Sequence, residues 1–312
     1  MLGIAKFTLG IGRRHAGTFN RRRRMSRLFC FGLGYSAGFL ARAVAAEGWA
    51  IAGTSRDEAS CAARAAAGCA MHVFTRDQKL RGGAAILAGT THLLLSVPPD
   101  ASGDPVFAAH GPALAALPAL RWAGYLSTTG VYGDRGGAWV DEDTPPCPAG
   151  ERGRRRLAAE QAWQALAVRT GLPLHVFRLA GIYGPGRSAL DAVRQGRARR
   201  IDKSGQVFSR IHVEDLVAVL RASMARPRPG AVYNVCDDAP VAPGEVVEFA
   251  ATLLGLAPPP AVAFDAAGLS PLARSFYDDN KRVANRRIKD ELGVRLRYPS
   301  YREGLRALAA VP

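Results

Sequence analysis

Residues 27–38, "RLFCFGLGYSAG", decide the fold. A short apolar run from Arg27 to Phe31 leads directly into Gly32, Gly34 and Ala37, and the following stretch, 35 to 47, has helical spacing. Strand, tight glycine turn and helix in that order build the turn on which a dinucleotide pyrophosphate rests. Gly32 permits the turn. Gly34 lets the backbone amides of the turn, with Tyr35 and Ser36 beside it, approach the phosphates at the positive helix terminus, and Ala37 with Gly38 lets helix and strand pack closely.

Outward from this turn, short apolar runs alternate with alanine-rich helical stretches. The strands read as "RLFCF", "WAIAGT", "MHVFT", "THLLLSV", "RWAGYLS" and "LHVFRLA", with helices at 35–47, 57–68 and 105–118 between them. That alternation specifies an α/β fold, a Rossmann doubly wound parallel sheet, followed by a smaller C-terminal substrate lobe where "ARPRPG" and "LAPPPAV" interrupt the order. The expected division is a basic, disordered extension at 1–24, a dinucleotide-binding domain at 25–183 to which 208–236 returns, and a small lobe from 184–207 and 237–312.

Composition narrows the function classes. Of 312 residues, 48% are hydrophobic and 22% charged, enough for a large core. Cys30, Cys61, Cys69, Cys147 and Cys236 lie scattered, so neither a metal site nor a disulfide framework is indicated, and a reducing cytoplasm is expected. No apolar run approaches the ~20 residues of a membrane span. The formal charge of +16 falls to +9 when the seven cations of the first 24 residues, "RRRR" at 21–24 among them, are set aside. That segment reads as a targeting peptide, a basic arm for nucleic acid, or sequence upstream of a start at Met25; the last is favoured and nucleic acid is disfavoured. A homodimer is a state this reading allows.

The second strand ends in Ser55 and Arg56 where an acid would grip the adenosine ribose, which favours NADP over NAD. After the fifth strand comes "YLSTTGVYGD", and later "RLAGIYGPGR" (178–187), "RIHVEDL" (210–216) and "YNVCDD" (233–238). With these landmarks the chain from Arg27 onward resembles the extended short-chain dehydrogenase/reductase family, the sugar-nucleotide epimerase and dehydratase group. The resemblance implies that Thr128 orients a substrate carbonyl or alcohol and that Val97 and Arg156 join the cofactor site. It also implies an acid/base tyrosine and its lysine at the start of the helix in "PAGERGRRRLAAEQAW", where this chain has Arg152 and Arg156. An arginine cannot exchange protons near neutrality, so the chain resembles the tyrosine-less, atypical branch.

"YDDNK" (277–281) spaces Tyr277 and Lys281 by four, but "SFYDDNKRVANRRIKDELG" reads as a peripheral C-terminal helix carrying a surface tyrosine and a solvated lysine. Substitute proton donors are instead His212, whose pKa is naturally near neutrality, Tyr183 and Tyr132, the last also a substrate contact. Each has a bland counterpart as a packing aromatic or a structural histidine. Arg187 and Arg210 flank the same expected cleft and suit a phosphate, diphosphate or carboxylate. Two function classes follow: an NAD(P)-dependent oxidoreductase or epimerase-like enzyme acting on a small anionic or sugar-nucleotide-like molecule, or a catalytically silent dinucleotide-binding sensor or scaffold.

Overall fold

The structure, a computed structural model, describes residues 26–310, so the extension at 1–24 lies outside the described residues. Along the chain come β1 (Arg27–Phe31), α1 (Tyr35–Ala45), β2 (Ala50–Ser55), α2 (Glu58–Ala65), β3 (Ala70–Val73), α3 (Gly83–Leu87), β4 (His92–Leu95), α4 (Pro105–Ala115) and β5 (Trp122–Thr128). A 3-10 turn at Thr129–Tyr132 precedes β6 (Trp139–Val140), α5 (Glu151–Thr170), β7 (Leu174–Leu179), β8 (Gly181–Tyr183), α6 (Ala189–Arg194), β9 (Arg200–Asp202) and β10 (Arg210–His212). Then follow α7 (Val213–Ala225), β11 (Val232–Val235), α8 (Pro243–Leu253), β12 (Ala261–Ala263), α9 (Pro271–Arg274), β13 (Arg282–Val283), α10 (Arg286–Asp290) and α11 (Tyr301–Ala309).

Seven strands form one parallel sheet in the order β11-β7-β5-β4-β1-β2-β3. The strand order reverses between β1 and β4, and a doubly wound sheet opens its ligand crevice at such a point, beyond the carboxyl ends of the strands. Alternation along each strand feeds two cores. Leu28 and Cys30 of β1 pack with Leu94, Phe177 and the helices α1 and α7, whereas Phe29 and Phe31 pack with Leu93, Tyr125 and Trp163 on the other face. Each core is built from alternate residues of the same strands, so helices must cover both faces. "YNV" within the expected return segment becomes the seventh strand, at the β7 edge.

Three two-stranded pairings, β10-β8, β12-β9 and β13-β6, extend past the carboxyl ends of this sheet. The last corrects an expectation. Residues 275–285 are not helical; a turn and bend at 275–278 lead into β13, held where the main chain of Asn280 accepts from Arg135 N (2.9 Å) and Gly137 N (3.0 Å) and donates to Asp134 Oδ1 (2.9 Å). The Asn280 side chain also bonds Gly205 O and Val207 N, so five long-range partners replace the local helix.

Candidate functional site

The glycine turn closes β1 onto α1 at the reversal of strand order. Gly32 has φ +83°, and a Cβ there would lie 3.1 Å from Val97 Cγ2 and 3.2 Å from Ser96 Oγ, so both the backbone and its neighbours require glycine. Its N–H donates to Thr54 Oγ1 (2.9 Å) and its carbonyl accepts from Ser96 Oγ (2.7 Å), stitching the carboxyl ends of β1, β2 and β4 together. Gly34 caps α1 and is exposed; a Cβ on it would meet only Gly32 O, at 4.0 Å. The first turn of α1 carries no acid, leaving its amides free of a competing carboxylate. Ser36 is half-buried and Ala37 fully packed. The Tyr35 hydroxyl donates to Pro185 O (3.1 Å) and the Arg187 guanidinium stands 5.6 Å from its ring, linking this turn to the loop after β8.

At the end of β2, Ser55 is half-buried and Arg56 exposed, its side chain engaged in no hydrogen bond or ion pair among the described residues. Asp57 instead caps α2, accepting from Ser60 N (2.7 Å). A ligand phosphate arriving there would meet an uncommitted guanidinium.

Thr128 ends β5, and its Oγ1 accepts from Gly130 N (3.1 Å). Helix α5 lies against this turn at glycine distance: a Cβ on Gly153 would come within 2.8 Å of Gly130 O. The same helix brings Arg156 over β5, donating to Leu126 O (2.9 Å) with its guanidinium 5.8 Å from the Tyr125 ring. Arg152, one turn earlier, is exposed and stacks on Phe276 at 4.8 Å. Thr128 and Arg156 thus share one strand end, and no phenol accompanies them from α5.

The "YDDNK" segment does reach this edge, though not through Tyr277. Tyr277 turns away to pack against Phe208 and Phe264 at 5.2 and 5.1 Å. Lys281 is not solvated: it is 8% exposed, burial lowers its pKa, and its Nζ lies 3.1 Å from Asp279 Oδ2. That same Oδ2 stands 4.0 Å from where a Cβ on Gly130 would be, a point 3.5 Å from Thr128 Oγ1. A carboxylate therefore borders the Thr128 turn, a placement that spacing alone could not reveal.

Tyr132 is corrected as a substrate contact and proton donor. It is fully buried, its hydroxyl donating to Asn234 Oδ1 (2.8 Å) and accepting from Arg178 Nη1 (3.0 Å). Arg178 pairs with Glu160 at 2.5 Å, and Glu160 Oε2 accepts from Ser127 Oγ (2.8 Å). This chain of buried polar groups ties β5, α5, β7 and β11 together beneath the Thr128 turn; burial pushes the Tyr132 pKa up, and its hydroxyl proton is committed to Asn234.

A cavity of about 470 Å³ opens beyond β8 and β10, lined by Tyr183, Arg187, Arg197, Arg210 and Tyr301. It brings together Arg187 and Arg210, as the sequence led us to expect, and adds Arg197. The Tyr183 hydroxyl lies 3.4 Å from Ser300 O, and burial raises its pKa. His212 does not supply an acid near neutrality. It caps α7, its Nδ1 accepting from Glu214 N (3.2 Å), and burial pushes its pKa down to about 4. The ring is 1% exposed, wedged between Tyr183 and Tyr298 at 5.1 and 4.1 Å, with no partner on Nε2. Asp237 went unread in "YNVCDD". It is 1% exposed, burial drives its pKa up to about 7, and its Oδ2 has no hydrogen-bond partner.

Comparison with known proteins places this geometry. The family described as "NAD dependent epimerase/dehydratase family" matches residues 119–236. A protein of Silicibacter pomeroyi DSS, described as functionally unknown and conserved, is 57% identical, with a TM-score of 0.85 over 92% of this chain and 99% of that one. "Protein YeeZ" of Escherichia coli (strain K12) is 31% identical over 179 residues, 56% of this chain. The chain spans 58% of the length of that curated relative. UDP-glucuronic acid 4-epimerase of Bacillus cereus, solved with UDP-glucuronic acid and NAD, shares the fold at 14% identity, with a TM-score of 0.74 over 91% of this chain and 98% of that one.

Proposed function

We propose that the chain, whose residues 119–236 match the NAD dependent epimerase/dehydratase family, is an NAD(P)-dependent oxidoreductase or epimerase-like enzyme acting on an anionic, sugar-nucleotide-like substrate. The observation that carries the proposal is the glycine turn at the reversal of strand order, with space above Gly34 that any side chain would fill. Those features fit a dinucleotide. Backbone amides after Gly34 would hold its pyrophosphate, Val97 would border it, Ser55 and the uncommitted Arg56 would favour the 2′-phosphate of NADP, and Arg156 would hold the far ribose. A bound nicotinamide supplies or accepts hydride.

Residues 25–183 with 208–236 make up the cofactor domain in this reading, and 184–207 with 237–312 the substrate lobe. Arg187 and Arg210 hold the substrate's anionic group while Tyr183 closes the wall of the same cleft. Thr128 orients the reacting carbonyl or alcohol. With arginine at position 152, the chain falls in the tyrosine-less branch, and the proton passes to Asp279, which Lys281 positions beside the Thr128 turn. A second reading, a silent dinucleotide sensor or scaffold, is favoured by the same missing phenol. The two separate when protein carrying NADP+ or NAD+ is given UDP-glucose, dTDP-glucose and UDP-glucuronate, whose alcohols can give up hydride, and nicotinamide absorbance and conversion of the sugar are both followed. Reduction of the nicotinamide or conversion of the sugar on one addition supports the enzyme; cofactor binding with no turnover on any of them supports the sensor. Arg56→Ala weakens NADPH about tenfold more than NADH if a charge-assisted contact to the 2′-phosphate is lost; equal losses overturn the NADP preference.

A further inference from the structure

We propose that the arginine cleft binds its phosphoryl anion together with a proton, and that Asp237, acting through Arg210, is the positioning residue that carries it. The inference rests on the reading of this cleft as the substrate's anion site.

Asp237 lies two residues beyond β11, and its backbone N–H donates to Arg210 O (2.6 Å), which fixes its carboxyl beside the strand that presents Arg210 to the cavity. Its Oδ1 accepts from Ala239 N (3.2 Å), while the buried Oδ2 has no partner. Arg210 Nη1 donates to Phe208 O (2.9 Å), and the guanidinium makes no ion pair among the described residues. An ionised carboxylate with an unsatisfied buried oxygen is costly, and a protonated one leaves the Arg210 charge to a ligand. An anion entering the cleft places further negative charge near Asp237, so binding favours the protonated carboxyl; by reciprocity, protonation favours binding.

The surrounding groups leave Asp237 as the one that changes charge. Its pKa of about 7 arises first from burial, against the pull of Arg210. Tyr183 on β8, Tyr301 on α11 and Tyr277 are held above their ordinary range by burial, as is the Cys236 thiol, and Arg210 stays cationic although burial lowers its pKa. His212, at about 4, is neutral. Asp238 is engaged by Lys289 and Asn285, Glu142 by Asn234 N, and Asp215 by the amides of Arg297 and Tyr298.

The test is calorimetric titration with UDP-glucose from pH 6.0 to 8.5, in buffers of different ionisation enthalpy. Its diphosphate is a diester and lacks the ionisation near 6 of a phosphate monoester, so any proton linkage belongs to the protein. The expected result is uptake of roughly half a proton at pH 7 and affinity about tenfold weaker at pH 8.5 than at pH 6. Asp237→Asn, which keeps an acceptor for Ala239 N, should bind equally at every pH and take up no proton. Saturable binding by the wild type with a flat pH profile and no proton uptake overturns the proposal and leaves the cleft reading standing; this arm needs no variant. Binding of neither UDP-glucose nor inorganic sulfate at any pH overturns the cleft reading and the proposal together.

Discussion

Replacing Asp237 by asparagine should stabilise the protein, and increasingly so as the pH rises. The carboxyl goes from 3.8, its ordinary value, to about 7 in the folded chain, with burial as the leading cause. Its contribution to stability is therefore intact below pH 3.8 and is lost as pH rises through 7, because the unfolded chain releases the proton first. At roughly 1.4 kcal/mol per unit, the shift costs the folded state about 4 kcal/mol above pH 8. Asparagine has no proton to lose and retains the bond to Ala239 N. Urea unfolding followed by circular dichroism at several pH values should show the two proteins diverging between pH 4 and 7, to a difference of about 4 kcal/mol at pH 8.5. Parallel pH profiles would refute the reasoning, since they would mean that the folded carboxyl ionises as freely as the unfolded one.

Two further substitutions probe the Thr128 edge. Glu160→Gln leaves Arg178 buried without its counter-charge and should lower stability by about 3–5 kcal/mol, measured by the same urea transitions, because the cost of an uncompensated buried charge exceeds the value of the pair; a loss below about 1 kcal/mol would show that the pair is not dry. For any turnover found, Asp279→Asn should lower kcat about a hundredfold with cofactor affinity unchanged, the scale of one general acid/base, whereas His212→Gln should leave the pH dependence of kcat unchanged because the ring is already neutral at pH 6.

The glycine turn and its strand–helix setting were readable because every signal lies within a dozen contiguous residues. The parallel order of the sheet followed from alternation, and only the edge strand β11 was left implicit. Long-range partners decided the rest. The apolar spacing of 275–293 imitates a helix, yet Asn280 binds residues 134 to 137 and 205 to 207, which outweighs local propensity. His212 and Tyr132 have the right functional groups for proton transfer, but sequence does not disclose burial: one is an N-cap held near 4, and the other's hydroxyl proton is committed to Asn234. Asp237 was hidden for the same reason, since an acid after a strand usually reaches solvent. Asp279 needed the fold to bring it back some 150 residues to Thr128.

The central claim is that a nicotinamide dinucleotide rests on the turn at Gly32 and Gly34. It is tested most directly by titrating the protein with NADPH and NADH while following nicotinamide fluorescence, beside a Gly34→Leu variant whose side chain would occupy the space above α1. Saturable binding by the wild type with a dissociation constant on the order of 10 µM, about −7 kcal/mol, lost in the variant, is the expected result. No binding, or binding that Gly34→Leu leaves intact, would contradict it.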